Sequence, residues 1–304
     1  GGIDVTASGT YTAEATPQGT AFYLSLKGLT GGHSGVDIHK GRANANKLMN
    51  RVLLKLTSAS KIKIASIDGG SLRNAIPRES VAAIVVPAEE VENVKKYAAE
   101  WNAILKAEYS FTDPNLSLTI EPAENISSVL PASFQLSFLR ALYACPNGVY
   151  RLSPDIAGLV QSSNNIAKLD IKEGHWNVQC LTRSSVDSEK TDLAQSISCA
   201  FELAGGNINF SGNYPGWTPR PDAAIVKLMS DLYKEMFNEP AQVNAVHAGL
   251  ECGILGTNYP EIQMISFGPN IYGAHSPDEK VQVSSVQKFW MYLLEVLVRI
   301  PAKL

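Results

Sequence analysis

The stretch TAFYLSLKGLTGGHSGVDIHKGRANANKLMNRVLLKL, residues 20–56, changes its periodicity once, and that change decides the fold class. Over 20–29 apolar and polar residues alternate, which on a pleated strand places one set on each face. The alternation runs into Gly28. From Ala45 onward the apolar positions are Leu48, Met49, Val52, Leu53 and Leu56. That i, i+3, i+4 spacing predicts a helix over about 42–58. Between strand and helix lies Gly31-Gly32-His33-Ser34-Gly35. A strand, a Gly-rich loop and a helix in that order belong to an α/β protein, and such loops are where ligands gather.

The pattern continues outward from this stretch. Residues 61–67 (KIKIASI) and 80–86 (SVAAIVV) predict strands, about 89–109 a helix and 116–120 a further strand. The order then repeats: a helix over about 131–144, strands at 158–166 and 176–182, a helix over about 187–204 closed by Gly205-Gly206, and a strand at 207–210. Two β-α-β-β-α units in series predict a duplicated two-layer sheet domain, with halves at about 20–120 and 121–213. Residues 214–221 (YPGWTPRP) are dense in Pro and Gly and mark a boundary. Beyond it a helix over about 222–237, short strands at 242–246 and 264–267 and a last helix with Val286, Phe289, Trp290, Leu293, Leu294 and Leu297 on one face predict part of a second α/β sheet. The N-cap expected for that helix is Ser284 or Ser285.

Composition narrows the function. The 304 residues are 45% hydrophobic and carry a formal charge of -3. So much apolar material forms a sizeable core, and so little net charge argues against a nucleic-acid partner. Residues 286–300 are apolar but too short and too charged for a membrane span. Cys145, Cys180, Cys199 and Cys252 have no Cys-x-x-Cys spacing and read as buried free thiols of a reducing, cytoplasmic setting. The opening Gly1-Gly2-Ile3, without Met, reads as a processed end or as the start of a piece of something longer.

Five histidines are present. His33 and His275 are framed by Gly and small polar residues after strands, the side of an α/β sheet that ligand sites prefer. His247 precedes Ala248-Gly249 in a strand-to-helix turn. His39 and His175 read as surface residues. Asn74 follows a strand in a sharp turn, where Asn commonly serves the backbone. Arg183 stands where a strand runs out; it suits the surface, and its fork also suits a carboxylate. Phosphate-loop, nucleophile-elbow, His-Glu-x-x-His and dinucleotide motifs do not occur.

The same loops carry a resemblance. Gly-Gly-His-Ser-Gly-Val-Asp-Ile-His (31–39) with Gly-Arg-Ala-Asn-Ala-Asn-Lys-Leu (41–48), Leu-Arg-Asn-Ala-Ile-Pro-Arg-Glu (72–79), His-Ala-Gly-Leu-Glu-Cys-Gly (247–253) and His-Ser-Pro-Asp-Glu (275–279) are collinear. Together they closely resemble the aminoacyl-histidine (Xaa-His) dipeptidases, two-zinc exopeptidases related to carboxypeptidase G. The resemblance implies a split catalytic domain with a lid domain inserted. Residues 5–213 would be the lid, 214–304 the C-terminal part of the catalytic domain, and 1–4 the end of the preceding catalytic segment. It implies that His33 reaches from the lid to the oxyanion, that Asn74, Arg183 and Gly249 hold the dipeptide, with Arg183 on its carboxylate, and that His275 is a metal ligand. Two zinc ions would activate the attacking water. The family's His-x-Asp motif, bridging Asp, Glu-Glu pair and last acidic ligand precede the lid and are not in this chain. The expectation is therefore a dipeptidase part that is inactive alone. The open alternatives are a non-catalytic module that binds small ligands or forms a homodimer through strand edges, and a related zinc exopeptidase of other specificity.

Overall fold

The computed structural model describes all residues except 125, 246–248, 273–278 and 301–304. It divides into two compact units: Gly1–Gly216 with Gly249, and Trp217–Ala245 with the residues from Leu250 onward.

The first unit is built on a nine-stranded sheet. Its strands are β1 (Gly2–Thr10), β2 (Thr20–Lys27), β3 (Lys63–Gly69), β4 (Ser80–Val86), β5 (Ser117–Pro122), β6 (Gly148–Leu152), β7 (Val160–Lys172), β8 (His175–Ser184) and β9 (Asn207–Tyr214). The order is β9-β1-β8-β7-β3-β4-β2-β5, with β6 on β7. Helices α1 (Ala45–Ala59), α2 (Val91–Glu108), α3 (Ala132–Ala144) and α4 (Asp187–Glu202) pack on one face. Leu53, Leu56, Val94, Leu105, Phe138, Leu193 and Phe201 are all fully buried there with Leu24, Ile64, Ile84, Leu169 and Val178. Each such side chain contributes about 1.5–3 kcal/mol when withdrawn from water. The two halves share one strand order: β5-β2-β4-β3 corresponds to β9-β1-β8-β7, and they meet where β7 pairs β3.

Three features differ from the expectation. First, residues 1–4 are not set apart from the sheet domain, because Ile3, Val5 and Ala7 point inward along β1 and are buried among the helices. This strand occupies, in the second half, the place of β2 in the first, so that half is completed from the start of the chain and not from within 121–213. Second, β6 was not expected; its burial is too slight for a periodic signal. Third, α1 starts at Ala45, because the Asn44 side chain caps it by accepting from the N–H groups of Asn46 (3.1 Å) and Lys47 (3.2 Å).

The second unit holds α5 (Ala224–Phe237), α6 (Glu251–Asn258) and α7 (Val283–Val298). Met229, Leu232 and Tyr292 form its buried centre, and the Tyr292 hydroxyl donates to Met229 O at 2.6 Å. Residues 242–245 and 264–267 are not strands. A strand needs a paired neighbour, and the strands described in this unit are the short ladder Ile271–Tyr272 with Lys280–Val281. On α7, Trp290, Leu294 and Leu297 are exposed, so the apolar face legible in the sequence is only partly covered. The N-cap of α7 is Gln282, not Ser284 or Ser285. The Ser285 hydroxyl instead donates to Gln282 O (2.6 Å) and accepts from Asn270 N–H (3.0 Å), tying down the preceding loop. Among the described residues no helix is long and apolar enough to cross a membrane.

Candidate functional site

Helices cover one face of the sheet, and the residues of interest lie toward the other. Ile3, Val5 and Ala7 on β1 face the helices, so Gly2, Asp4 and Thr6 face away. Gly2 stands opposite Arg183 on β8 and opposite Tyr214 on β9, and Arg183 stands opposite Ser163 on β7. One row thus reads Tyr214, Gly2, Arg183, Ser163. The next row, two residues along on β1, β8 and β7 and three on β9, where the register shifts, reads Ser211, Asp4, Leu181, Asn165. Rows so spaced are about 7–8 Å apart on the diagonal, within reach of long side chains.

Arg183 is not a surface charge: only 6% of it is exposed. Its Nη1 donates to the Tyr214 hydroxyl at 2.9 Å, and its Nε has no hydrogen-bond partner among the described residues. A buried guanidinium with donors to spare favours an anion. Asp4 shares this neighbourhood. Its carboxylate lies 3.6 Å from Arg73 Nε, while Arg73 Nη2 donates to the Thr6 hydroxyl at 2.8 Å. Burial raises the Asp4 carboxyl above its ordinary value against the lowering charges of Arg73 and Arg183.

Asn74 is held from beneath. Asn165, 1% exposed, donates its side-chain amide to the carbonyls of Arg73 (3.3 Å) and Ala75 (2.8 Å), the residues on either side of Asn74. Asn165 is itself held by the Asn44 side chain at 3.2 Å. The Asn44 carboxamide therefore caps α1 with its oxygen and supports the Asn74 turn, through Asn165, with its nitrogen.

His33 joins the same turn. Gly32 and His33 pair with Ile76 and Ala75, and Ser34 N–H donates to Asn74 O at 2.8 Å. The His33 ring accepts the N–H groups of Gly35 and Val36 at its Nδ1, both at 3.1 Å. An Nδ1 facing two donors carries no proton, so the neutral ring holds its proton on Nε2. The loop is braced by Asp37, whose carboxylate accepts His33 N–H (2.8 Å) and the Lys40 ammonium (2.6 Å) and lies 3.6 Å from Arg42. Gly32, at φ +134°, leaves no room for a methyl group, which would sit 2.4 Å from Arg42 Nη1 and 2.6 Å from Asp37 Oδ2.

This brace gives a pH prediction. Burial would raise the Asp37 carboxyl, but the Lys40 hydrogen bond, the His33 N–H and the Lys40 and Arg42 charges outweigh it and hold it below the usual carboxylate value. A depressed folded value contributes stability that is complete above the unfolded value and is lost as pH falls through the folded one. Asp37→Asn is expected to cost about 1–2 kcal/mol at neutral pH. The difference from wild type should shrink below a pH of about 4, as denaturation at both pH values would measure.

Of the remaining residues, Gly249 lies against Tyr214: a methyl group on it would meet the ring at 2.7 Å. His39 and His175 are exposed, as expected. His247 and His275 lie outside the described residues. Among the described residues no group of three or more His, Cys, Asp or Glu is placed to hold a metal ion. The sequence reading missed Tyr214, Asp4, Asn165 and Asn44. Alternation along β1 would have turned Asp4 outward, and an Asn just before an apolar helical stripe is a capping signal. Tyr214 lay hidden in the Pro- and Gly-rich boundary.

Residues 24–113 match a peptidase dimerisation domain, and residues 71–299 match peptidase family M20/M25/M40. The cytosol non-specific dipeptidase of Escherichia coli (strain K12) is 40% identical over 304 residues, 100% of this chain and 63% of that protein. The crystal structure of aminoacylhistidine dipeptidase from Vibrio alginolyticus matches with a TM-score of 0.92 and 39% identity, over 100% of this chain and 62% of that one. The chain thus spans less than two thirds of the length of these two relatives.

Proposed function

Because the chain belongs to peptidase family M20/M25/M40, we propose that it is the substrate-clamping part of a metal-dependent dipeptidase that hydrolyses Xaa-His dipeptides such as β-alanyl-histidine in the cytoplasm. In this reading the sheet domain, which begins with the strand Gly2–Thr10 and runs to about residue 213, is the lid, and 214–304 are the C-terminal part of the catalytic domain. The observation that carries it is the juxtaposition on one sheet face. The His33 and Asn74 loops are hydrogen-bonded to each other. Asn165, which supports them, stands in the row beside buried Arg183. An imidazole N–H donor, a carboxamide and a buried guanidinium are the groups a dipeptide needs at its oxyanion, its backbone and its C-terminal carboxylate.

Metal chemistry enters this reading through the family. A pair of zinc ions would supply an activated water. His275 is the ligand this chain would offer, and it lies outside the described residues. The described residues do not themselves make up a zinc site. Their part is to bind and orient the dipeptide and to place the His33 imidazole Nε2–H where charge develops on the scissile carbonyl oxygen. A homodimer is proposed on the strength of the dimerisation-domain match over 24–113. Light scattering that gave a monomer would count against it.

Two measurements test the reading. The 304 residues alone, given zinc and β-alanyl-histidine, are expected to show no turnover; clear hydrolysis would refute the assignment as a part that needs further ligands. The longer enzyme containing them is expected to prefer Xaa-His over other dipeptides. Equal rates across a panel of second residues would favour a broad dipeptidase instead, the reading that the name of the E. coli relative supports.

A further inference from the structure

Tyr214 sits at the meeting point of the residues assigned to the dipeptide, yet has no role in the reading above. Its hydroxyl is the acceptor for Arg183 Nη1 at 2.9 Å. Its ring fills the space above two glycines: a methyl on Gly2 would come within 2.4 Å of the Tyr214 hydroxyl, and one on Gly249 within 2.7 Å of the ring. Its backbone is pinned as well. The Lys190 ammonium, 3% exposed, donates to Tyr214 O at 2.8 Å and to Asp187 at 2.7 Å, and Asp187 accepts Gly216 N–H at 3.0 Å. A phenol fixed at both ends and aimed at a buried guanidinium restricts that guanidinium's rotation.

We propose that Tyr214 is a positioning residue for carboxylate recognition: it fixes the orientation of Arg183, and Gly2 and Gly249 lack side chains so that its ring can stand there. Arg183 carries long-chain rotamer freedom that binding would otherwise have to remove, and a partner that removes it beforehand improves affinity without touching the substrate. Bound at one corner, the guanidinium keeps its other donors for the anion. Gly249 and Arg183, assigned separately to the substrate, share one support. This inference rests on the reading of Arg183 as the carboxylate partner.

The test compares β-alanyl-histidine with its C-terminal amide, as substrate or competitor, in the longer enzyme containing these residues. Tyr214→Phe is expected to raise KM for the acid about ten-fold, the scale of one hydrogen bond to a charged group, with kcat within about two-fold. The preference for acid over amide should fall by the same factor. Combined with Arg183→Ala it should add nothing further. Gly249→Ala, which keeps the hydroxyl but crowds the ring, should reproduce the KM rise. A loss of acid preference in Arg183→Ala with unchanged KM in both Tyr214→Phe and Gly249→Ala would overturn the positioning role alone. Full acid preference in Arg183→Ala would overturn the Arg183 reading and this inference with it. Thermal unfolding of each variant separates a shift in KM from a loss of fold.

Discussion

His33→Ala is expected to lower the turnover of the longer enzyme proposed to contain this chain by about 10²–10³-fold at saturating dipeptide, while leaving the zinc content proposed for it unchanged. The magnitude is that of removing one preorganised donor from a developing oxyanion. The physical case lies in the ring's surroundings. Two backbone N–H groups occupy Nδ1 and fix the proton on Nε2, so the imidazole is set as a donor before any substrate arrives. Asp37, Gly32 and the ladder to Ala75 then fix where that donor stands. A donor fixed in advance has little to reorganise during the reaction, and its effect falls on kcat more than on KM. Metal analysis beside the rate measurement decides the matter: zinc lost together with activity would make His33 a ligand and not an oxyanion partner.

The second large effect is expected at Arg183. Its replacement by Ala should reduce kcat/KM for the free dipeptide by about 10²-fold or more, since truncating one member of a buried charge pair typically costs 2–5 kcal/mol. The C-terminal amide should lose far less. Arg183→Lys is expected to rescue poorly, because an ammonium cannot reproduce the planar fork. The neighbourhood sharpens this expectation. Arg183 and Arg73 both act on the partly buried Asp4. Without Arg183, Asp4 loses one of the two cations that lower it, and the Tyr214 hydroxyl loses the Arg183 hydrogen bond. Equal losses for acid and amide would mean that Arg183 supports the structure and does not read the carboxylate.

Much of the fold was legible because its signals are local. The change of period between residues 29 and 45, the helical stripe of α1 and the alternation in β2 each report a face that is buried, and the continuous apolar run of β4 reports a strand buried almost throughout. Residues 242–245 and 264–267, within the strands expected, are not strands for a reason local sequence does not hold: an extended apolar segment becomes a strand only beside a neighbour. β6 failed from the other side, since it is held by backbone pairing to β7 while its side chains stay largely exposed. For the site, His33, Asn74 and Gly249 were proposed from motifs that resemble a family, and Arg183 from its place at a strand's end together with what that resemblance implies. Their supports were not, because Asn165, Asp4 and Tyr214 owe their importance to register across strands far apart in sequence. The Asn44 cap was readable; its second bond to Asn165 was not.

The position of β1 also governs how the chain can reach its fold. Its partners are residues 175–183 on one side and 207–214 on the other. At a synthesis rate of about 5–20 residues per second, β1 waits on the order of ten seconds or more for its first neighbour, with Ile3, Val5 and Ala7 uncovered. The half holding β2 to β5 can close early on contacts nearer in sequence, whereas the half bearing Arg183 must wait for the stretch that ends in Tyr214. Contacts of such long range are slow to form. Refolding is therefore expected in two phases, the slower one reporting the arrival of β1 between β8 and β9 and, with it, the completion of the Arg183 row.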